Sequence, residues 1–170
     1  FAGLDDETYA AVRGAMVSTN VRRGEILFRE GEPGERLWVI VTGKVKLGHT
    51  APDGRESLLA VLGPGEIVGE LSVYDPGPRT ATATVLAPSA FLELERDVFL
   101  TLLDAHPGLS RQLLRSLAQR LRKTNSALAD LVFADVPGRV AKALLDLAAR
   151  FGRPVGDGIR VPHDLTQEEL

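Results

Sequence analysis

Apolar and polar positions follow three rhythms along this chain. Residues 4–16, LDDETYAAVRGAM, carry apolar side chains at helical spacing behind Asp5 and Asp6. That predicts a helix with acids in its first turn, placed to cover the end of a barrel. From Val21 to Glu95 the rhythm shortens: RLWVIV and KVKL alternate apolar and polar, and SLLAVL is more uniformly apolar. The turn signals between these runs are Glu32-Pro33-Gly34, Thr42-Gly43, Pro52-Asp53-Gly54, Gly63-Pro64-Gly65 and Asp75-Pro76-Gly77-Pro78. Short strands at this spacing predict a sandwich or barrel, with SLLAVL as a strand covered on both faces.

After Glu95 the spacing turns helical. RDVFLTLLDA, residues 96–105, predicts a short helix that His106-Pro107 breaks, and Pro107 can open the next one. Within 108–134, Leu114, Leu117, Leu121, Thr124, Leu128 and Leu131 form a heptad seam. Such a seam must be buried against a partner, and a parallel homodimer is expected. Thr124 interrupts it, either to fix register or to face a ligand. Asp135 is an N-cap candidate with Pro137 in the first turn behind it. The helix it starts runs to about Phe151, with Val140, Leu144, Leu147 and Ala148 on one face, and Gly152 closes it. Residues 153–165 are turn-rich with one β-like piece, GIRVPH. Thr166-Gln167-Glu168-Glu169-Leu170 then reads as a capping box, announcing a helix whose sequence stops in its first turn. The chain is expected to be cut there, and to lack its true start because residue 1 is Phe.

Composition narrows the chemistry. The 170 residues fit one domain and part of a second, and 44% hydrophobic residues suffice for a packed core. A net charge of −3 excludes bulk electrostatic binding of nucleic acid, so any DNA contact is local or lies elsewhere. The absence of cysteine excludes disulfides, thiolate zinc sites, iron–sulfur clusters and Cys nucleophiles, and fits a cytoplasmic protein. No apolar run approaches a membrane span, so no membrane partner is expected. His49, His106 and His163 are scattered and predict no metal site. No nucleophile elbow, Walker loop or paired catalytic carboxylate appears, and the expectation is a non-enzyme. Arg111, Arg115, Arg122 and Lys123 are read as the solvated face of the long helix.

The chemistry-bearing stretch is GEIVGELSVYDPGPRTATAT, residues 65–84. Gly65 and Gly69 let backbone approach a ligand, and a helical turn starting at Gly69 would aim free N–H groups at a phosphate. Arg79 supplies forked donors suited to phosphate, and Thr80 a hydroxyl. Glu70 would repel a phosphate but suits a sugar hydroxyl. The stretch therefore asks for a phosphate and a ribose side by side. The alternative is two plain turns with Arg79 and Glu70 as a surface ion pair. Strict alternation would put Arg79 and Thr80 on opposite faces, so both reach one phosphate only where the chain is still turning after Pro78.

Gly65-Glu66-Ile67-Val68-Gly69-Glu70-Leu71 followed by Arg79-Thr80-Ala81 resembles the phosphate-binding cassette of cyclic-nucleotide-binding domains. Gly31, Gly34 and Gly43 resemble that family's β-roll turn glycines. Thr124-Asn125 aligns with a Thr-Ser pair that meets the purine amine from the two subunits, with Asn in place of Ser. Arg120 occupies the position that links helix to cassette. Arg55 and Glu56 fall on a hairpin that can meet the DNA-binding domain or a second nucleotide, or they are an exposed cross-strand pair. FADVPGRVAKALLDLA is close to actinobacterial members, and T-x-E-E-[LI] resembles the opening of a helix-turn-helix.

The chain thus resembles the cyclic-AMP receptor (CRP/FNR) family of bacterial transcription regulators, outside its cysteine-dependent oxygen-sensing branch. The resemblance implies an α+β fold: a cyclic-nucleotide-binding jelly-roll or β-roll over 1–107, a coiled-coil dimerisation helix over 108–134, and the hinge and start of a winged helix-turn-helix over 135–170. It implies cyclic AMP as effector, held by the cassette residues Gly69, Glu70, Leu71 and Ser72, by Arg79 and Thr80 at the phosphate, and by Arg120, Thr124 and Asn125 from the long helix. It implies a homodimer that binds palindromic DNA through helices beyond Leu170 and works with RNA polymerase. The rival reading is a nucleotide sensor attached to an enzyme or channel.

Overall fold

A computed structural model of the chain describes residues 5–51, 56–162 and 164–165. Two compact units emerge, residues 1–113 and 114–170, and the division falls inside the long helix.

The first unit opens with α1 (Asp6–Ala15). Asp5 caps it, accepting from the backbone N–H of Thr8, and Val12 turns inward. Six strands follow in one antiparallel sheet: β1 (Val17–Val21), β2 (Ile26–Phe28), β3 (Arg36–Thr50), β4 (Glu56–Leu62), β5 (Ile67–Val68) and β6 (Thr82–Glu95). The two long strands organise it. β3 pairs with β4, β5 and β6, while β6 also takes β1 and β2. This is a β-roll, and its interior is packed by Phe28, Trp38, Ile40, Val45, Leu62, Val68, Ala83, Val85 and Phe91. Between β5 and β6 stands one helical turn, α2 (Leu71–Tyr74), and α3 (Arg96–Ala105) follows β6.

Two strand expectations need correction, at Thr42-Gly43 and over SLLAVL. Thr42-Gly43 is no turn, because β3 runs through it as a single strand of 15 residues. Gly43 adopts φ +93° and absorbs the register shifts between Ile40 and Val45. A Cβ there would sit 1.9 Å from Ser89 Oγ, which accepts from Lys44 N–H and donates to Ala87 C=O. The strand therefore bulges around a buried serine where sequence pattern alone reads a hairpin. Second, the doubly covered strand is β3: Leu37, Trp38, Val39 and Ile40 are all buried, and successive side chains point to opposite faces. SLLAVL instead is half-open, with Leu59 exposed and Val61 and Leu62 buried. Uniform apolar composition did not decide coverage; position in the sheet did. The Pro52-Asp53-Gly54 turn and Arg55 lie outside the described residues, as does the side chain of Glu56.

The second unit contains the later part of α4 (Pro107–Phe133), then α5 (Val136–Phe151) and the hairpin β7 (Arg153–Val155) and β8 (Gly158–Arg160). Asp135 caps α5 by accepting from Gly138 N–H at 3.0 Å. Gly152 ends α5 with φ −69°, so its conformation does not demand glycine. Its missing side chain does matter, since a Cβ would lie 2.2 Å from Ala148 O. The expected β-like GIRVPH is strand only over Gly158–Arg160, and it pairs with a strand the sequence pattern did not reveal, Arg153–Val155. The capping box at 166–170 and His163 lie outside the described residues. No described helix is long and apolar enough to cross a membrane.

Candidate functional site

The cassette begins where β5 ends. Gly69 takes φ +85°, a left-handed conformation that favours glycine. Glu70 follows as the residue before α2, so the helical turn starts two residues later than expected. A Cβ on Gly69 would fall 2.6 Å from Arg79 Nη1 and 3.2 Å from the Arg36 carbonyl oxygen. The glycine is thus needed twice, for its dihedral and for the guanidinium that lies against it.

Arg79 is held by its backbone first. Its N–H donates to Glu32 C=O at 2.8 Å, its C=O accepts from Gly31 N–H at 2.9 Å, and Pro78 bridges to Pro33. The side chain then turns inward and is 4% exposed. Nη1 donates to Gly69 O at 2.7 Å and to Ser72 Oγ at 2.9 Å, and Nη2 donates to Arg36 O at 2.6 Å. The guanidinium carbon lies 4.2 Å from the centre of the Phe28 ring and 5.5 Å from that of Trp38, two rings stacked on each other. Among the described residues, Arg79 Nε is buried with no hydrogen-bond partner.

A buried cation needs compensation. Burial pulls the Arg79 guanidinium below its ordinary range, while the charges of Glu70 and then Glu32 pull it back up. Glu70 itself is only 3% exposed. Glu70 and Arg79 are therefore no surface ion pair. They form a buried, oppositely charged pair whose Nε donor is unspent, and an unspent buried donor is what an incoming anion can use.

The remaining expected residues fall in different settings. Ser72 is buried, Leu71 is exposed, and Thr80 is exposed on the segment before β6 begins at Thr82. Arg79 and Thr80, although adjacent, thus differ in burial. Arg120, Thr124 and Asn125 lie on α4 in the second unit, Arg120 half-buried and the other two exposed. Sequence reasoning missed the aromatic shelf of Phe28 and Trp38 and the carbonyl of Arg36. Nothing in the LWVI stretch around Trp38 marks it as the floor of a charged site. His49 pairs with Glu30 at 2.8 Å, and His106 Nδ1 lies 3.3 Å from Thr8 Oγ1. No group of potential metal ligands occurs among the described residues.

Comparison with known proteins is consistent with this geometry. The family model described as "Cyclic nucleotide-binding domain" matches residues 18–106. A CRP-like cAMP-activated global transcriptional regulator of Mycobacterium tuberculosis is 51% identical over 170 residues, covering 100% of this chain and 76% of that protein. The crystal structure of the N-terminal domain of a transcriptional regulator from Streptomyces coelicolor A3(2) matches with 52% identity and a TM-score of 0.60, over 74% of this chain and 90% of that one. The catabolite activator protein of Thermus thermophilus matches with 36% identity and a TM-score of 0.70, over 88% of this chain and 70% of that one.

Proposed function

This chain belongs to the cyclic-nucleotide-binding domain family, among the CRP-like transcription regulators, and from that premise we propose that it is the sensing and dimerising part of a cyclic-AMP-responsive regulator. The observation that carries the reading is the burial of Arg79 and Glu70 together, with Arg79 Nε unspent. A cyclic phosphate would take the Nε donor and the Thr80 hydroxyl. Glu70 would accept from the ribose hydroxyl. Gly69, Leu71 and Ser72 shape the cassette around both groups. Thr124 and Asn125, one from each subunit, would meet the base, with Arg120 linking the long helix to the cassette.

Residues 108–134 would form the homodimer seam, and 135–170 the hinge and beginning of a winged DNA-binding domain. A ligand that touches both roll and seam favours one helix arrangement over another, because it binds the two arrangements unequally. The hinge would convert that preference into the spacing of two DNA-reading helices on a palindromic site, in the cytoplasm and beside RNA polymerase. With a net charge of −3, DNA contact falls to a local surface of those helices.

Calorimetric titration with cyclic AMP tests the reading. Arg79→Ala removes the buried cation and is expected to cost about 2–5 kcal/mol, roughly thirty-fold to several thousand-fold in affinity. Unchanged binding in that variant would refute the assignment.

A further inference from the structure

The guanidinium of Arg79 is held as well as buried. An arginine has five N–H donors. In this site, two on Nη1 go to Gly69 O and Ser72 Oγ, and one on Nη2 goes to Arg36 O. What is left is Nε–H and one N–H of Nη2, on adjacent atoms of the fork. Two of the three acceptors are backbone carbonyls, which every sequence supplies. The third, the Ser72 hydroxyl, is specific to this sequence and is itself buried. The structure also makes room for it. A Cβ on Gly34 would lie 2.1 Å from Ser72 Oγ and 3.3 Å from Arg79 Cζ, so the hydroxyl occupies space that Gly34 leaves open.

We propose that Ser72 is a positioning residue: its hydroxyl, seated against Gly34, holds Arg79 Nη1 so that the Nε side of the guanidinium faces the anionic cyclic phosphate. Ser72 acts through Arg79. Without the hydroxyl, one Nη1 hydrogen is buried with no acceptor. The guanidinium then shifts to satisfy it, and the fork is no longer pre-aimed when the phosphate arrives. The inference rests on the assignment of Arg79 to the phosphate, and the experiment separates the two.

Four forms of the 170-residue chain are titrated with cyclic AMP: wild type, Ser72→Ala, Arg79→Lys and the double variant. Trp38 is the sole tryptophan and lies 5.5 Å from the Arg79 guanidinium carbon, so its fluorescence reports on the guanidinium before any ligand is added. Ser72→Ala should weaken binding about tenfold, the scale of one hydrogen bond to a charged group, and should shift Trp38 emission in the free protein. In the Arg79→Lys background, Ser72→Ala should change affinity less than about twofold, because the fork it aims is gone. Ser72→Cys, a slightly larger side chain with a weaker acceptor, should fall between Ser and Ala, and it serves if the alanine variant does not fold.

Affinity and emission unchanged by both Ser72 variants would overturn the proposal. So would an equal loss in both Arg79 backgrounds, which would mean that Ser72 touches the nucleotide itself. Wild-type affinity in Arg79→Lys would overturn instead the phosphate assignment on which the proposal stands.

Discussion

The two units of this chain treat their side chains in opposite ways. The β-roll unit buries even its charges: Glu70 and Arg79 are as inaccessible as Trp38 and Phe28. The unit built from the later part of α4 and from α5 leaves large apolar residues open. Leu114, Leu121, Leu128, Leu131, Phe133 and Leu145 are all more than half exposed, and of the aliphatic positions on α5 only Leu147 is buried. A buried Leu or Phe is worth about 1.5–3 kcal/mol. The first unit therefore closes its own core, whereas the second carries an apolar surface that its own residues do not cover. The buried charges Glu70 and Arg79 sit in the self-sufficient unit, and assembly is expected of the other.

The largest test of that contrast is to charge the open seam. Leu121→Glu with Leu128→Glu sets two carboxylates against their partners in a parallel dimer, an arrangement that buries like charges and costs several kcal/mol. Sedimentation velocity should find a dimer in the wild type and a monomer in the double variant at micromolar concentration. The β-roll should keep its own melting transition in the variant. A variant that stays dimeric would mean that the seam is not where this chain assembles.

The next test strikes the closed unit at its tightest point. Gly69→Ala places a Cβ 2.6 Å from Arg79 Nη1 on a residue with φ +85°. The dihedral alone costs about 1–3 kcal/mol for a non-glycine residue, and the guanidinium must leave the Gly69 carbonyl. Denaturant unfolding should register the loss in the β-roll transition, and cyclic AMP affinity should fall with it. The dimer should persist, because the seam lies in the other unit.

That contrast also explains what sequence alone could reach. The cassette was legible because glycine, acid and arginine stand at fixed spacings in one continuous stretch. The long helix was legible because periodicity is a property of one helix. The cap at Asp135 was legible for the same reason, since it closes on an N–H three residues away. Apart from β7, whose partner β8 is close by in the chain, the misses are non-local. Thr42-Gly43 looked like a turn because the buried partner that shapes the bulge, Ser89, is distant in sequence. The apolar composition of SLLAVL does not reveal that Leu59 is exposed, because coverage depends on what packs over a strand. The floor under Arg79 joins Phe28, Arg36 and Trp38 to a loop some forty residues later, and no local pattern marks such a meeting.

Smaller effects sharpen the comparison, because both units use the same capping device. Asp135→Ala removes the acceptor for Gly138 N–H and should cost about 1 kcal/mol of α5 stability. Circular dichroism should show the loss in helical signal while cyclic AMP affinity in the first unit stays at its wild-type value.

At the other cap, Asp5 accepts from Thr8 N–H at 2.8 Å and from the Thr8 hydroxyl at 2.9 Å. The backbone N–H, then the hydroxyl, hold the Asp5 carboxyl below its ordinary range, with a lesser contribution from His106. The carboxylate is therefore favoured by the folded form. Its contribution is fully present above the unfolded aspartate value, about pH 4, and is lost as pH falls through the lower folded value. Asp5→Asn keeps a capping oxygen but cannot titrate. Thermal melts at pH 7 should place wild type slightly above the Asn variant, and the gap should narrow on acidification from pH 4 to pH 2.5. This is the smallest of the expected effects, because the carboxyl is solvent-accessible and its bonds are local. A gap that widens with acid would mean that Asp5 is protonated in the cap and donates where it is described as accepting.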